Sequence, residues 1–170
     1  MSLYKSTDPV IRLTMSDFEP ARRGSPLRLK TKSYKGAGFI KAYAPWCPHC
    51  VSKVKDINTI ASILNRKSSG TRVYVLNADG LGPLGVGSNG EPLVEAFPTM
   101  LSVAPDRTID HLVDANGKPA FTVPEALGAL CQGDRCSQQR WYQIATSIAT
   151  DQIGQLTSAQ LNQLKGRLDL

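Results

Sequence analysis

Residues 38–54 read GFIKAYAPWCPHCVSKV. The stretch AGFIKAYA (37–44) has the apolar and aromatic content of a central β-strand, interrupted only by Lys41. From Cys47 onward the pattern changes: Val51, Val54, Ile57, Ala61 and Leu64 fall near helical spacing. A strand therefore runs into Cys47 and Cys50 at the start of a helix. That helix is expected to end near Arg66, where Lys67-Ser68-Ser69-Gly70 forms a stop. Two cysteines two residues apart can hold a metal, close a disulfide, or cycle between thiol and disulfide.

Working outward, VIRLT (10–14) is a first strand and MSDFEPARRGSPLRLKTKSYKG (15–36) reads as turn and loop, punctuated by Pro20, Gly24, Pro26 and Gly36. After the long helix, RVYVLNA (72–78) is another buried-type strand. The glycine-rich DGLGPLGVGSNGEP (79–92) lacks the Lys-Ser/Thr ending of a phosphate cradle and reads as a surface loop. A short helix PLVEAF (92–97) is expected next. Strands PTMLSVA (98–104) and TIDHLV (108–113) follow, joined by a turn at Pro105-Asp106-Arg107, and Asp114–Gly117 closes the pair. Thr122-Val123-Pro124-Glu125 is a capping box opening a further helix. The order β, β, α, β, α, β, β, α predicts an α/β domain. Its mixed central sheet contains a parallel pair and a terminal antiparallel hairpin, with helices on both faces.

Beyond Cys131 the character shifts. Trp141, Ile144, Ala145 and Ile148 form one helical stripe. Thr157-Ser158-Ala159-Gln160 caps a second helix carrying Leu161, Leu164 and Leu168. The expectation is a domain over 1–130, with a basic loop insertion at about 21–36, and a C-terminal helical hairpin over 131–170. The hairpin either packs back on the domain or binds a partner.

A chain of 170 residues suits one domain with an appendage. No apolar run is long enough for a membrane helix, and the N-terminus MSLYKSTDPV lacks a signal-peptide apolar region. The C-terminus GRLDL is no retention signal, and no Asn-x-Ser/Thr acceptor occurs. As given, the chain is expected to be intracellular. The net charge is +6, and residues 1–40 hold eight Lys/Arg against three Asp/Glu. Arg22, Arg23, Arg28, Lys30, Lys32 and Lys35 form a run without an acid. No nucleic-acid module accompanies that run, so a solvated loop is expected rather than a nucleic-acid site.

Four cysteines are too few for a disulfide scaffold. They fall as Cys47-x2-Cys50 and Cys131-x4-Cys136, and a compact pair beside a βαβ pattern points to redox chemistry. Zinc held by all four, with His49, is an alternative. Cys131 and Cys136 are open between a second disulfide, an accessory redox pair and free thiols. His111 lies in a predicted strand and reads as structural.

AYAPWCPHC resembles the active-site segment of the protein disulfide isomerase branch of the thioredoxin superfamily. VIRLTMSDFEP is similar to that family's opening strand and helix, and AFPTM to its cis-proline loop. The resemblance covers roughly residues 9–130. It implies a thioredoxin fold and thiol–disulfide exchange with protein substrates, needing neither cofactor nor metal. Cys47, at the helix start, is implied as the exposed nucleophile. There, unpaired backbone N–H groups favour the reactive thiolate. Cys50, one turn on, would resolve the mixed disulfide. Pro48-His49 is the dipeptide of DsbA-type oxidases, and a protonated His49 would favour the reduced form and so make the disulfide oxidising.

Lys41 departs from the family, which commonly carries a buried carboxylate there to take a proton from the resolving cysteine. A charged Lys41 would instead stabilise a thiolate, unless it reaches out to solvent from a strand edge. Lys55 replaces a helix-kinking proline, so a straighter helix is expected. Pro98 is implied to be cis, and Phe97, Pro98 and Thr99, with Trp46, to form an apolar groove pairing with extended substrate.

An upstream redox partner is implied, with no membrane partner. A monomer is expected, with a tail-mediated dimer as the alternative. Two other readings remain: a thioredoxin-like reductant, and a thioredoxin-fold binding protein using the basic loop or tail. An oxidising motif without an export signal fits two settings. One is a secretory-pathway protein whose signal has been removed. The other is cytosolic disulfide formation, as in large cytoplasmic DNA viruses.

Overall fold

A computed structural model of the chain describes residues 3–20, 24–65, 70–121 and 123–130. The expected C-terminal helices, Cys131, Cys136 and Thr122 lie outside these residues. The architecture is α/β around a mixed five-stranded sheet in the order β1-β3-β2-β4-β5. The strands are β1 (Ile11–Leu13), β2 (Gly38–Tyr43), β3 (Arg72–Asn77), β4 (Thr99–Val103) and β5 (Ile109–His111). β1 and β2 both run parallel to β3, β4 runs antiparallel to β2, and β4 and β5 form an antiparallel hairpin. Each falls inside the segment expected of it.

β2 is central, and all six of its residues are buried. A strand covered on both faces reads as a continuous rather than alternating apolar run, which is why 38–43 carries little polarity. Gly38 has a steric reason: a Cβ there would run into the Arg72 backbone on β3. Alternation along β2 and β3 still divides the core. Phe39, Tyr43, Val73 and Val75 point to one face, and Ile40, Ala42, Tyr74 and Leu76 to the other.

The first face is covered by helices. α1 (Pro48–Ser52) and α2 (Val54–Leu64) follow β2, and α3 (Val123–Leu130) ends the described chain. α2 buries Ile57, Ile60, Ala61, Ile63 and Leu64 there, and α3 adds Ala126, Leu127 and Ala129. Asn65 ends α2 and ties it to the sheet, because its Oδ1 accepts the Val73 N–H at 2.7 Å and its Nδ2 donates to the Pro9 carbonyl at 2.9 Å.

One five-turn helix, straighter than usual, was the sequence expectation. The helix is instead broken at Lys53, whose φ of −103° and ψ of 4° leave the helical region. A cause is visible one turn earlier. Lys41 Nζ donates to the carbonyl of Cys50 at 2.9 Å. A side chain inserted into the i→i−4 ladder is a recognised origin of helix kinks.

The second face corrects a larger expectation. Among the described residues no helix covers it. PLVEAF (92–97) is not helical; Val86 pairs with Pro92 in an isolated bridge, and the segment stays irregular. Its apolar residues serve as anchors: Leu93 and Val94, with Leu84 of the preceding loop, join the core beside Phe18, Leu27 and Leu29. In the loop leading into the segment, Gly80, Gly82, Gly85 and Gly90 all have positive φ, a conformation glycine adopts without steric cost.

The opening helix that the resemblance implied is not formed; only one 3-10 turn, Met15–Asp17, stands before Pro20. The loop after it is more than a solvated one. Leu27 and Leu29 face inward while Lys32 and Lys35 are exposed. The Leu29 N–H donates to the Arg107 carbonyl at 3.0 Å and the Ile109 N–H to the Leu27 carbonyl at 2.8 Å, so the loop caps the outer edge of β5. Arg107 Nη1 adds bonds to the Leu29 carbonyl at 2.7 Å and to Glu19 Oε1 at 3.0 Å. Among the described residues no helix is long and apolar enough to cross a membrane.

Candidate active site

The site is built where β2 meets α1. Cys47 is the N-cap of α1, with Pro48 in the first turn, where proline's missing N–H costs nothing. The cap is made by sulfur: Cys47 Sγ accepts the Cys50 N–H at 3.2 Å. The Cys47 carbonyl accepts the Val51 N–H at 3.0 Å, continuing the turn. The sequence spacing therefore becomes a geometry in which the second cysteine's amide is aimed at the first cysteine's sulfur.

Both cysteines are free thiols, and both are buried. Cys50 is 0% exposed and Cys47 only 3% exposed. This corrects the expectation of an exposed nucleophile. Cys47 belongs to the same apolar cluster as Tyr4 and Tyr43, and Leu3 and Phe97 pack against that cluster. Tyr4 of the N-terminal segment thus shares the apolar cluster that holds the dithiol. Burial pushes the Cys50 thiol up to about 11, helped by its hydrogen bond to the Cys47 sulfur.

Lys41 does not reach solvent. It lies on the central strand, 0% exposed, on the helix-covered face. Its Nζ donates to Tyr4 Oη and to the Cys50 carbonyl, each at 2.9 Å, and stands 5.4 Å from the centre of the Tyr4 ring. Burial lowers its pKa from 10.5 to about 8, and the nearby cysteines oppose that shift. Tyr4 packs edge-on against Tyr43 at 5.3 Å, and burial raises its phenol above the ordinary tyrosine range. Sequence reasoning passed over Tyr4. The only signal was an aromatic in an otherwise polar N-terminus.

On the outer side, Trp46 is 65% exposed. It meets Phe97 edge-to-face with centroids 5.7 Å apart, and its Nε1 donates to Asp79 Oδ1 at 3.0 Å. The Phe97–Pro98 peptide bond is cis. Phe97, Pro98 and Thr99 are half-buried, and Thr99 opens β4 opposite Ala42 on β2. The structure thus brings Trp46 and Phe97 together beside the dithiol turn. Pro48 and His49 are exposed at the start of α1, so His49 faces solvent rather than the core. His111 is half-buried on β5 against Gly87, consistent with a packing role.

A surface concavity of about 1070 Å³ lies on the other sheet face between the loops carrying Leu27, Arg28, Leu84 and Val86. The dithiol lies outside it, beside the exposed Trp46 and the half-buried Phe97. Among the described residues no group of three or more His, Cys, Asp or Glu gathers as a metal site would require. Compared with protein-family models and with curated proteins, the chain matches none.

Proposed function

We propose that the chain has a thioredoxin-type fold and is a thiol–disulfide oxidoreductase of the isomerase or oxidase type, exchanging disulfides with protein substrates through Cys47 and Cys50. The observation that carries this reading is the Cys47 sulfur capping α1 with the Cys50 amide directed at it at 3.2 Å. During exchange, negative charge must be held on the attacking or departing sulfur. An amide hydrogen already in place there needs no rearrangement at the moment of reaction. The sheet order and the cis Phe97–Pro98 bond agree with the family resemblance.

In the oxidising direction, a substrate thiolate attacks Cys47 of the Cys47–Cys50 disulfide. The bond to Cys50 breaks and a mixed disulfide forms. A second substrate thiolate then attacks the substrate sulfur, leaving a substrate disulfide and the reduced pair. Trp46 and Phe97 offer an apolar surface, and the backbone at Pro98 and Thr99 can pair with an extended chain. Pro48, His49 and Lys41 set the poise, with Lys41 as the buried cation beside Cys50. The inward-facing Leu27 and Leu29 give the basic loop a structural task and weaken its claim to be a separate binding site.

The test is disulfide transfer. Protein in the disulfide form, mixed with a reduced two-cysteine peptide, is expected to convert the peptide to its cyclic disulfide, with a mass loss of two hydrogens. The protein should gain two alkylatable thiols. A peptide left reduced, with the protein disulfide intact, would refute the proposal.

A further inference from the structure

Trp46 stands in solvent beside Cys47, yet its indole is fixed. Nε1 donates to Asp79 Oδ1 at 3.0 Å, and the ring meets Phe97 edge-to-face. Asp79 is in turn placed by the end of the sheet. The Ala78 N–H donates to the Tyr43 carbonyl at 2.8 Å, the Asp79 N–H to Asn77 Oδ1 at 3.2 Å, and the Leu81 N–H to the Ala78 carbonyl at 3.2 Å. An exposed carboxylate is thereby held at the edge of an exposed indole.

No cation of the protein answers that carboxylate. Among the described residues Asp79 makes no ion pair; Lys53, at the helix break, lies 3.8 Å from Asp56 instead. The neighbouring chain is acidic as well. Between Arg72 and Arg107 it carries Asp79, Glu91, Glu95 and Asp106 and no lysine or arginine, although the net charge of the whole is +6. Glu95 is exposed two residues before Phe97, next to the turn that Thr99 Oγ1 closes by donating to the Ala96 carbonyl at 2.5 Å.

Resting on the disulfide-exchange reading above, we propose that the Trp46 indole face and the Asp79 carboxylate form a subsite for a cationic side chain, arginine above all, beside the cysteine of a protein substrate. Asp79 is then a specificity-determining residue, and the substrate class is cysteine-containing segments that carry arginine or lysine next to the cysteine.

The chemistry of the two groups fits that occupant. A guanidinium is flat and weakly hydrated, so it can lie on an indole face while its N–H groups point at a carboxylate. The indole face attracts a cation through its quadrupole, and tryptophan does so best among the aromatic side chains. A carboxylate accepts at both oxygens, and Trp46 takes only Oδ1. Trp46 directly precedes Cys47, so a mixed disulfide at Cys47 holds the residues flanking the substrate cysteine beside both groups. An acidic residue at the same place would meet Asp79 with like charge and be disfavoured.

The experiment is disulfide transfer from the disulfide form of the full chain to two reduced two-cysteine peptides. They are identical except at the residues flanking one cysteine, which are arginine in the first and its neutral isostere citrulline in the second. The second-order rate constant for each is measured at low salt and a single pH, for the unaltered protein, Asp79→Asn and Trp46→Leu. Asparagine still offers an oxygen to the Trp46 N–H and removes only the charge. Comparing the arginine-to-citrulline ratio between proteins cancels the effect of arginine on the peptide's own thiol. The ratio is expected to be about threefold higher for the unaltered protein than for Asp79→Asn, the size of an exposed ion pair. Trp46→Leu, which lacks the indole face, should lower it by at least about the same factor. A ratio equal in the unaltered protein and in either variant overturns the subsite and leaves the exchange reading standing. If the unaltered protein oxidises neither peptide, both are overturned.

Discussion

Cys47→Ser is expected to transfer no disulfides at all, whereas Cys50→Ser is expected to accumulate covalent adducts with substrate. The asymmetry follows from position. Cys47 caps α1 at the Trp46–Phe97 surface, and its sulfur already accepts an amide hydrogen. Cys50 lies one turn deeper and is wholly buried. Without the Cys47 sulfur no mixed disulfide forms. Without the Cys50 sulfur the mixed disulfide forms but nothing inside the protein resolves it. The check is peptide oxidation together with non-reducing mass analysis after incubation with a thiol or disulfide substrate. A fully active Cys50→Ser protein with no trapped adduct would mean the two roles are wrongly assigned.

The second large effect is on stability. Lys41 titrates at about 8 in the fold and at 10.5 when unfolded. Between those values the unfolded chain binds more protons than the native one, so stability rises with pH. The contribution is fully present above 10.5 and is lost as pH falls through about 8. At 1.36 kcal/mol per unit, the span amounts to about 3 kcal/mol. Tyr4, Tyr74 and Cys50 also titrate abnormally in the alkaline range, so the comparison is made against Lys41→Met, which retains them all. Urea unfolding of both reduced proteins at pH 7 and above pH 10.5 should show the unaltered chain gaining about 3 kcal/mol relative to Lys41→Met. A constant gap would mean that the buried ammonium is fully compensated.

These two expectations rest on features of different legibility. The Cys47–Cys50 pair at the junction of β2 and α1 was readable, because the chain changes from strand to helical periodicity at that point. The strands were readable for a similar reason: β2 and β3 are compact apolar runs and the β4–β5 turn has proline and aspartate. The failures share a cause, which is that the deciding partner is remote in sequence. The break at Lys53 accompanies Lys41 reaching across from β2 to the Cys50 carbonyl. No residue near Lys53 announces it, and the absence of proline at Lys55 suggested the opposite. In PLVEAF the apolar residues looked like a helical face, yet Leu93 and Val94 anchor a glycine-rich loop over the bare side of the sheet. The run from Arg22 to Lys35 looked solvated because its charges are conspicuous, and Leu27 and Leu29 between them carry the packing.

Lys41 was noticed for its charge but not placed, since one lysine in a strand reads equally as an edge residue or a buried one. In the fold it is buried and donates to Tyr4, whose significance only the folded chain displays. Cys47 is likewise buried, in the cluster that Tyr4 joins, although the local sequence suggests an open site. Trp46, with its ring against the half-buried Phe97, is the exposed aromatic beside the buried Cys47.

The central claim is that this dithiol donates disulfides, and its reduction potential tests that most directly. The protein would be equilibrated in glutathione buffers of known ratio, quenched by alkylation, and its thiols counted by mass. A value of about −120 to −180 mV is predicted, the range of disulfide donors and isomerases, consistent with a buried cation beside Cys50 and with the Pro48-His49 dipeptide. A value near about −270 mV, that of a thioredoxin-type reductant, would contradict it and assign the site the opposite direction of electron flow.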